Sequence, residues 1–280
     1  MVGLVAGVGV TTILELHNSR GIPAETEELP SPGVNHSKRH RYKDAKTIAR
    51  PRRYTSDVML PKEIHTMRCA ECAVRACSSR EFEKAPDFCP MEWEDGPAEA
   101  IREKLTDPAL RNIALNAARV EAAGYCRWTR VEETMEFASR CGFRKLGLAF
   151  CNGLREEARV LNEIFRSNGF DVCSVACKCG GVQKEEMGIL DSEKVRPGND
   201  EVMCNPIGQA QVLERLGTDF NVVVGLCVGH DTLFLMHTKA PATVLIAKDR
   251  VLAHNPAGAV YLARGYYKNK LSSHPVDGQG

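Results

Sequence analysis

The stretch Lys145-Leu-Gly-Leu-Ala-Phe150, followed directly by Cys151, decides the fold of this chain. It is a short and mainly apolar run, which predicts a strand buried inside a sheet. Three further strands are predicted at Asp171–Ala176, 221–226 and 242–247. Helical patterns separate these strands, and strands that alternate with helices form parallel sheets through right-handed crossovers. We therefore predict an α/β fold with a Rossmann-like, three-layer core around a parallel sheet.

Cysteines follow three of the four predicted strands. Cys151 follows the first strand, Cys177 and Cys179 follow the second, and Cys227 follows the third. The carboxyl ends of parallel strands meet at the edge of the sheet where ligands bind. A further cysteine, Cys204, lies at the predicted start of a helix, where the helix dipole favours a thiolate. We expect these thiols to form one site.

The strand-end residues fall into two predicted groups. Catalytic roles are predicted for three residues: Cys151, Cys227 and His230. The histidine lies beside Asp231 and is a metal ligand, a general acid or base, or simply a loop residue. A cofactor is predicted to bind to three others: Cys177, Cys179 and Cys204. Crowded thiolates repel one another unless they share a cation or keep their protons. The site therefore holds a metal centre or uses a thiolate directly, unless the cysteines are separately buried and inert.

Four more cysteines are closely spaced before the first strand, in the pattern C-x2-C-x4-C-x11-C: Cys69, Cys72, Cys77 and Cys89. Two thiolates separated by two residues can bind one metal ion through a tight turn, and the other two complete a four-sulfur shell. The segment contains few apolar residues, so metal binding would supply its folding energy. The spacing predicts zinc or an iron–sulfur cluster without separating them. Two disulfides in an exported protein are the alternative.

The composition excludes several classes of protein. The chain has 280 residues, with 37 Lys and Arg against 36 Asp and Glu, so its net charge is +1. This balance argues against a general nucleic-acid binder. The sequence has no apolar run near the roughly 20 residues that a membrane-spanning helix needs. The chain also has 12 cysteines, all of them after residue 66.

This uneven distribution of cysteines suggests three parts. We predict an extension at residues 1–66, which is disordered or lies upstream of a true start at Met67. A cysteine-rich metal module follows at 67–96, and the α/β domain covers 97–270. No Lys or Arg precedes the apolar run at residues 2–10, although a secretory signal has a basic segment there. We therefore expect a cytoplasmic protein.

Several sequence blocks carry a resemblance to a known family. Besides the four leading cysteines, they are Gly124-Tyr-Cys-Arg-Trp-Thr-Arg130, Gly147-Leu-Ala-Phe-Cys151, Cys177-Lys-Cys-Gly-Gly-Val182, Met203-Cys-Asn-Pro206, Gly225-Leu-Cys-Val-Gly-His-Asp231 and His254-Asn-Pro256. From Met67 to about Tyr261, the chain resembles the domain-of-unknown-function 1847 family. Members of that family are usually labelled metal-binding proteins. The resemblance implies metal binding and supplies no settled reaction.

Two classes of function remain open from the sequence. The first is an enzyme that performs redox or sulfur chemistry on a small molecule, with a thiolate or a cluster. The second is a non-catalytic metal carrier or a metal or redox sensor, which would capture a soft metal ion. The large α/β core favours the enzyme, since a carrier needs less scaffold. No G-x-G-x-x-G follows a predicted strand, which argues against an NAD enzyme.

Overall fold

A computed structural model describes residues 67–93 and 96–272, so the predictions for residues 1–66 lie outside the described residues. Four strands form one sheet in which every neighbouring pair is parallel, in the order β2-β1-β3-β4. The strands are β1 at Lys145–Phe150, β2 at Asp171–Ala176, β3 at Phe220–Val224 and β4 at Ala242–Ile246. This confirms the predicted α/β fold with a parallel sheet.

Strand β1 lies inside the sheet, paired with β2 on one side and β3 on the other. Packing requires a glycine at position 147 of this strand, because a Cβ on Gly147 would lie 2.1 Å from Oδ1 of Asn221 on β3. Asn221 is buried and cannot move aside easily, since its side chain bonds Thr218 Oγ1 and Thr238 Oγ1, each at 2.8 Å. The glycine therefore lets a hydrogen-bonded asparagine sit against the central strand.

The predicted end of the third strand is wrong. Strand β3 ends at Val224 rather than at residue 226, because Gly225 has a φ of +62°. That left-handed conformation leaves the extended region, and glycine adopts it without the steric cost of a Cβ. The chain therefore turns two residues before Cys227.

The described residues contain nine α-helices. They are α1 at Ala76–Ser79, α2 at Pro97–Lys104, α3 at Pro108–Gly124, α4 at Arg130–Cys141, α5 at Arg155–Ser167, α6 at Pro206–Arg215, α7 at His230–His237, α8 at Ala257–Tyr261 and α9 at Lys268–Leu271. Side-chain caps begin three of them, at Asp107, Thr129 and Asn205. Asp107 accepts hydrogen bonds from the first turn of α3, and Thr129 forms a capping box with Glu132 at α4. None of these helices is both long and apolar enough to cross a lipid bilayer.

The order of the strands determines which faces the helices cover. The chain moves from β1 to β2 in one direction, then returns past β1 to β3 and continues to β4. Because such crossovers are right-handed, α5 lies on one face, and α6 and α7 lie on the other. Each of these helices buries a large side chain fully, namely Phe165, Leu213 and Phe234.

This strand order also creates a crevice at the carboxyl ends of the strands. After β1 the chain turns towards one face of the sheet, and after the neighbouring β3 it turns towards the other. Ligands of open α/β sheets bind at such a point of reversal. The loop after β1 begins with Cys151, and the loop after β3 contains Cys227.

Candidate functional site

A long segment between β2 and α6, here called the strap and consisting of residues 178–204, leaves the sheet edge and returns to it. The backbone N–H of Asn205 donates to the carbonyl of Cys177 at 2.7 Å. The N–H of Met203 donates to the carbonyl of Val182, also at 2.7 Å. These bonds join the two ends of the strap, and they place Cys204 beside Cys177 although 27 residues separate them.

Three cysteines lie together at this edge: Cys151, Cys177 and Cys204, here called the thiol cluster. The sulfurs of Cys177 and Cys204 are 3.8 Å apart. The thiol of Cys177 is also within hydrogen-bonding reach of Cys151. Cys151 and Cys177 are buried, at 8% and 1% exposure, whereas Cys204 is half-buried. Cys177 is therefore the shared neighbour of the other two thiols.

Two N–H donors from outside the cluster point at its sulfurs. The backbone N–H of Asn152 donates to Sγ of Cys177 at 3.3 Å. The ammonium of Lys248 donates to Sγ of Cys151 at 3.1 Å, from a position 97 residues further along the chain. A cation in contact with a sulfur favours the thiolate form.

The hydrogen bonds separate the acidities of Cys151 and Cys177. The pKa of Cys151 is lowered to about 4, because the thiol of Cys177 and the ammonium of Lys248 stabilise its thiolate. The pKa of Cys177 is raised, because its thiol hydrogen bonds to Cys151 and to Cys204 and because it is buried. A thiol has one proton, so Cys177 can donate to only one of its two neighbours at a time.

Cys204 has its own positive surroundings. Its pKa is lowered to about 5, first by the hydrogen bond with Cys177 and then by the charges of Lys178 and His230. Lys178 also donates to the carbonyl of Val202 inside the strap. His230 is the first residue of α7 and lies half-buried. The structure thus brings the predicted residue His230 near Cys204.

The other two strand-end cysteines do not join the thiol cluster. Sγ of Cys179 contacts the carbonyl oxygen of Asn205 at 3.6 Å, and burial raises the pKa of its thiol. Cys227 is half-buried and accepts a hydrogen bond from Nη2 of Arg250 at 2.9 Å. The five predicted cysteines therefore divide into a cluster of three and two separate thiols.

Two cations at this edge, Lys248 and Arg250, are not among the site residues predicted from the sequence. Both lie in the loop after β4, where three charged residues follow one another, namely Lys248, Asp249 and Arg250. The carboxyl end of the fourth strand lies at the same edge of the sheet as those of the first three. The rule that selects the cysteines therefore also selects Lys248, which follows the fourth strand. The contact of Arg250 with Cys227 depends on the turn after Asp249, whose Oδ1 accepts from the N–H groups of Val251 and Leu252.

The four N-terminal cysteines line one cavity of about 210 Å³: Cys69, Cys72, Cys77 and Cys89. Cys89 is buried, and Cys69 and Cys77 are exposed. Throughout residues 67–93 and 96–272, no three Cys, His, Asp or Glu side chains are arranged to hold one metal ion. The four thiols suit zinc or an iron–sulfur cluster chemically, but their sulfurs would have to move towards one another to form a shell.

Comparison with known proteins places this chain in a family. The sequence profile of a family described as a protein of unknown function (DUF1847) matches residues 89–245. The uncharacterized protein MJ0455 of Methanocaldococcus jannaschii is 42% identical over 206 residues, which cover 73% of this chain and 98% of that protein. The chain belongs to the DUF1847 family. This confirms the resemblance seen in the sequence.

The part of this DUF1847 protein that matches the family profile contains the whole thiol cluster. Residues 89–245 also include Cys179, Cys227 and His230. Of the four N-terminal cysteines, only Cys89 lies within the matched residues. The two cations, Lys248 and Arg250, follow shortly after its end.

Proposed function

We propose that this DUF1847 protein is a thiol-dependent enzyme that performs redox sulfur chemistry on a small molecule in the cytoplasm. The observation that carries the proposal is the position of Cys177 beside two other cysteines, one of which is bonded to Lys248. A thiolate beside a thiol is the arrangement that thiol–disulfide exchange requires. The cytoplasm keeps such thiols reduced between turnovers.

The proposed reaction begins with the thiolate of Cys151 attacking one sulfur of a small-molecule disulfide. A bond forms between Cys151 and that sulfur, and the other half of the substrate leaves as a thiolate. Lys248 stabilises the attacking thiolate and keeps it available at neutral pH. The product of this step is a mixed disulfide on Cys151.

Cys177 completes the reaction because its sulfur lies next to Cys151. Its thiolate, once the proton has passed to the first leaving thiolate, attacks Sγ of Cys151 and displaces the second half of the substrate. The substrate gains two electrons and leaves as one thiol, protonated by Cys177, and one thiolate, which takes its proton from water, and the protein is left with a Cys151–Cys177 disulfide. An external dithiol then reduces this disulfide. Cys204 can exchange with the same bond, since its sulfur is 3.8 Å from that of Cys177.

Turnover of hydroxyethyl disulfide with dithiothreitol as the reductant tests this function. The protein should accelerate thiol production, and Cys151→Ser should abolish the acceleration. Cys173→Ser is the matched control, because Cys173 lies on β2 and packs against the core away from the thiol cluster. A rate no higher than that of the uncatalysed mixture, or one that Cys151→Ser leaves unchanged, would reject the proposal.

We further propose that the four N-terminal cysteines hold zinc or an iron–sulfur cluster as a structural centre. Their shared cavity supports this, and binding would draw the sulfurs together and release thiol protons. The full chain should contain about one metal centre per protein, and Cys72→Ser should lose it. Cys126→Ser is the control, since Cys126 is exposed and lies outside this cavity. Equal metal content in both variants would contradict the assignment.

The second candidate function is a non-catalytic metal carrier or a metal or redox sensor. The observation in its favour is that all four N-terminal cysteines border a single cavity and that two of them are exposed. A carrier would give up its metal to a competing thiol ligand and would not turn over a disulfide. The turnover measurement therefore separates the two candidates.

A further inference from the structure

Lys248 reaches across the crevice at the point where the sheet changes direction. It follows β4, whereas its partner Cys151 follows β1, and β3 lies between those two strands. The side chain therefore crosses the carboxyl end of β3. Beneath it, Gly225 packs so closely on Leu154 that a Cβ at this position would lie 2.3 Å from Cδ2 of that leucine. The crevice is thus closely packed at Gly225, and the ammonium of Lys248 lies beside it.

Arg250 provides a second cation at the same edge. Its guanidinium is exposed, and its one hydrogen bond among the described residues goes to Sγ of Cys227. A guanidinium has five N–H donors in a planar fork. Several of these donors are therefore free to bind an incoming group next to the crevice.

Carboxylates do not neutralise these cations within the described part of the chain. None of the ion pairs there includes Lys178, Lys248 or Arg250. The two acidic residues nearest in sequence to Lys248 and Arg250 each have one carboxylate oxygen bonded to nearby backbone N–H groups. Oδ1 of Asp249 accepts from two N–H groups of its own turn, and Oδ1 of Asp231 accepts from the N–H of Thr232.

We infer that the small-molecule substrate carries a negatively charged group, such as a carboxylate, which Arg250 binds while Cys151 attacks the sulfur. The inference rests on the proposed function of the thiol cluster and adds the class of substrate to it. Arginine binds carboxylates through two parallel hydrogen bonds, which fixes the orientation of the bound group as well as its charge. Lys248 contacts the attacking sulfur of Cys151 and has at most two further N–H donors, whereas Arg250 has up to four and presents them as a planar fork.

Two disulfide reagents that differ in charge test the inference. Dithiobis(nitrobenzoate) has two carboxylates, dithiodipyridine is neutral, and both release a coloured thiol on reaction. The rate of modification of each crevice cysteine is measured with each reagent, and mass spectrometry identifies the site. Arg250→Gln should slow the charged reagent about tenfold, as expected for the loss of one charge-assisted hydrogen bond, and leave the neutral reagent unchanged.

Two further variants serve as controls. Arg250→Lys keeps the charge without the fork and should retain part of the rate with the charged reagent. Arg215→Gln removes an exposed arginine at the end of α6, at the opposite edge of the sheet, and should change neither rate. This pair separates a specific effect of Arg250 from a general loss of positive charge.

The outcomes distinguish the inference from the function on which it rests. Equal slowing of both reagents by Arg250→Gln, or no slowing of either, would overturn the inference. A slow reaction of Cys151 with both reagents would instead contradict the proposed function. The ratio of the two rates at whichever crevice cysteine reacts would still decide the role of Arg250.

Discussion

At the scale of single residues, the site depends on which groups surround each sulfur. Cys151 and Cys177 lie in the same buried edge of the sheet, yet their pKa values shift in opposite directions. The difference arises because the thiol of Cys177 and the ammonium of Lys248 stabilise the thiolate of Cys151, while Cys177 is buried and keeps its proton between two other cysteines. A nucleophile and a protonated partner can thus coexist in one cluster.

The pH dependence of alkylation at Cys151 follows from this lowered pKa. Thiolate reacts and thiol does not, so the rate with iodoacetamide should persist as the pH falls from 8 and decline only near about 4. Lys248→Gln removes one stabilising contact, which raises the pKa, so the decline should begin at a higher pH.

The matched control for this prediction is Lys239→Gln. Lys239 is exposed and lies between α7 and β4, at the other edge of the sheet. Its replacement should leave the pH profile of Cys151 unchanged. A profile of the wild type that declines near pH 9, as for an ordinary thiol, would show that Cys151 is protonated at neutral pH.

Gly225 gives a prediction for stability. Gly225→Ala puts a Cβ at a φ of +62° and against the buried side chain of Leu154. We expect a loss of about 2–4 kcal/mol in the free energy of unfolding, from backbone strain together with overpacking. Urea denaturation measures it.

Gly229→Ala separates the two contributions. Gly229 also has a positive φ, +86°, but a Cβ there would meet no atom within 4 Å. The Gly229→Ala variant should therefore lose about 1 kcal/mol in its free energy of unfolding, from backbone strain alone. Equal losses in both variants would show that contact with Leu154 costs nothing.

At the scale of elements, the strap determines whether Cys204 reaches Cys177. Its interior is held by Lys194, whose side chain is only 4% exposed and contacts the carboxylates of Glu185 and Asp191. Lys194 also donates to the carbonyl of Asn199 at 2.9 Å. These contacts keep the strap compact between its two joined ends.

Lys194→Ala should therefore loosen the strap. We expect faster cleavage by thermolysin near the exposed residues Met187, Leu190 and Val195, and a lower yield of Cys177–Cys204 disulfide on oxidation. Arg196→Ala is the control in the same segment, since its exposed side chain makes no hydrogen bond in the described residues. Cleavage of the Lys194 variant at the wild-type rate would show that the strap stays folded without the contacts of Lys194.

Local signals explain which elements the sequence could predict. Strands β1 and β2 have the predicted bounds, because each is defined by a short run of neighbouring residues. Strand β3 ends early because the sequence cannot show that Gly225 takes a positive φ. The bounds of α7 are not predicted either, because its exposed apolar residues obscure a helical pattern.

At the scale of the whole molecule, the parallel sheet brings distant residues to one edge. The strand-end rule predicts that Cys151 and Cys177 lie near each other, because β1 and β2 are adjacent. The order of the four strands is not written in any local pattern, so the reach of Lys248 across β3 could not be predicted. The same holds for the contact between Arg250 and Cys227.

Deletion of residues 1–66 tests the predicted division of the chain. These residues contain no cysteine, and every residue of the proposed site follows them. The shortened protein should keep its melting temperature, its metal content and its disulfide turnover within error. A fall of many degrees would show that the core depends on this segment.

In the proposed function, Cys177 forms disulfides with Cys151 and with Cys204. Mapping disulfides by mass spectrometry, after oxidation with less than one equivalent of diamide, tests it most directly. The first disulfide should join Cys177 to Cys151 or to Cys204, while Cys141 and Cys173 remain free thiols. A first disulfide that excludes Cys177, or oxidation spread evenly over all the cysteines, would contradict it.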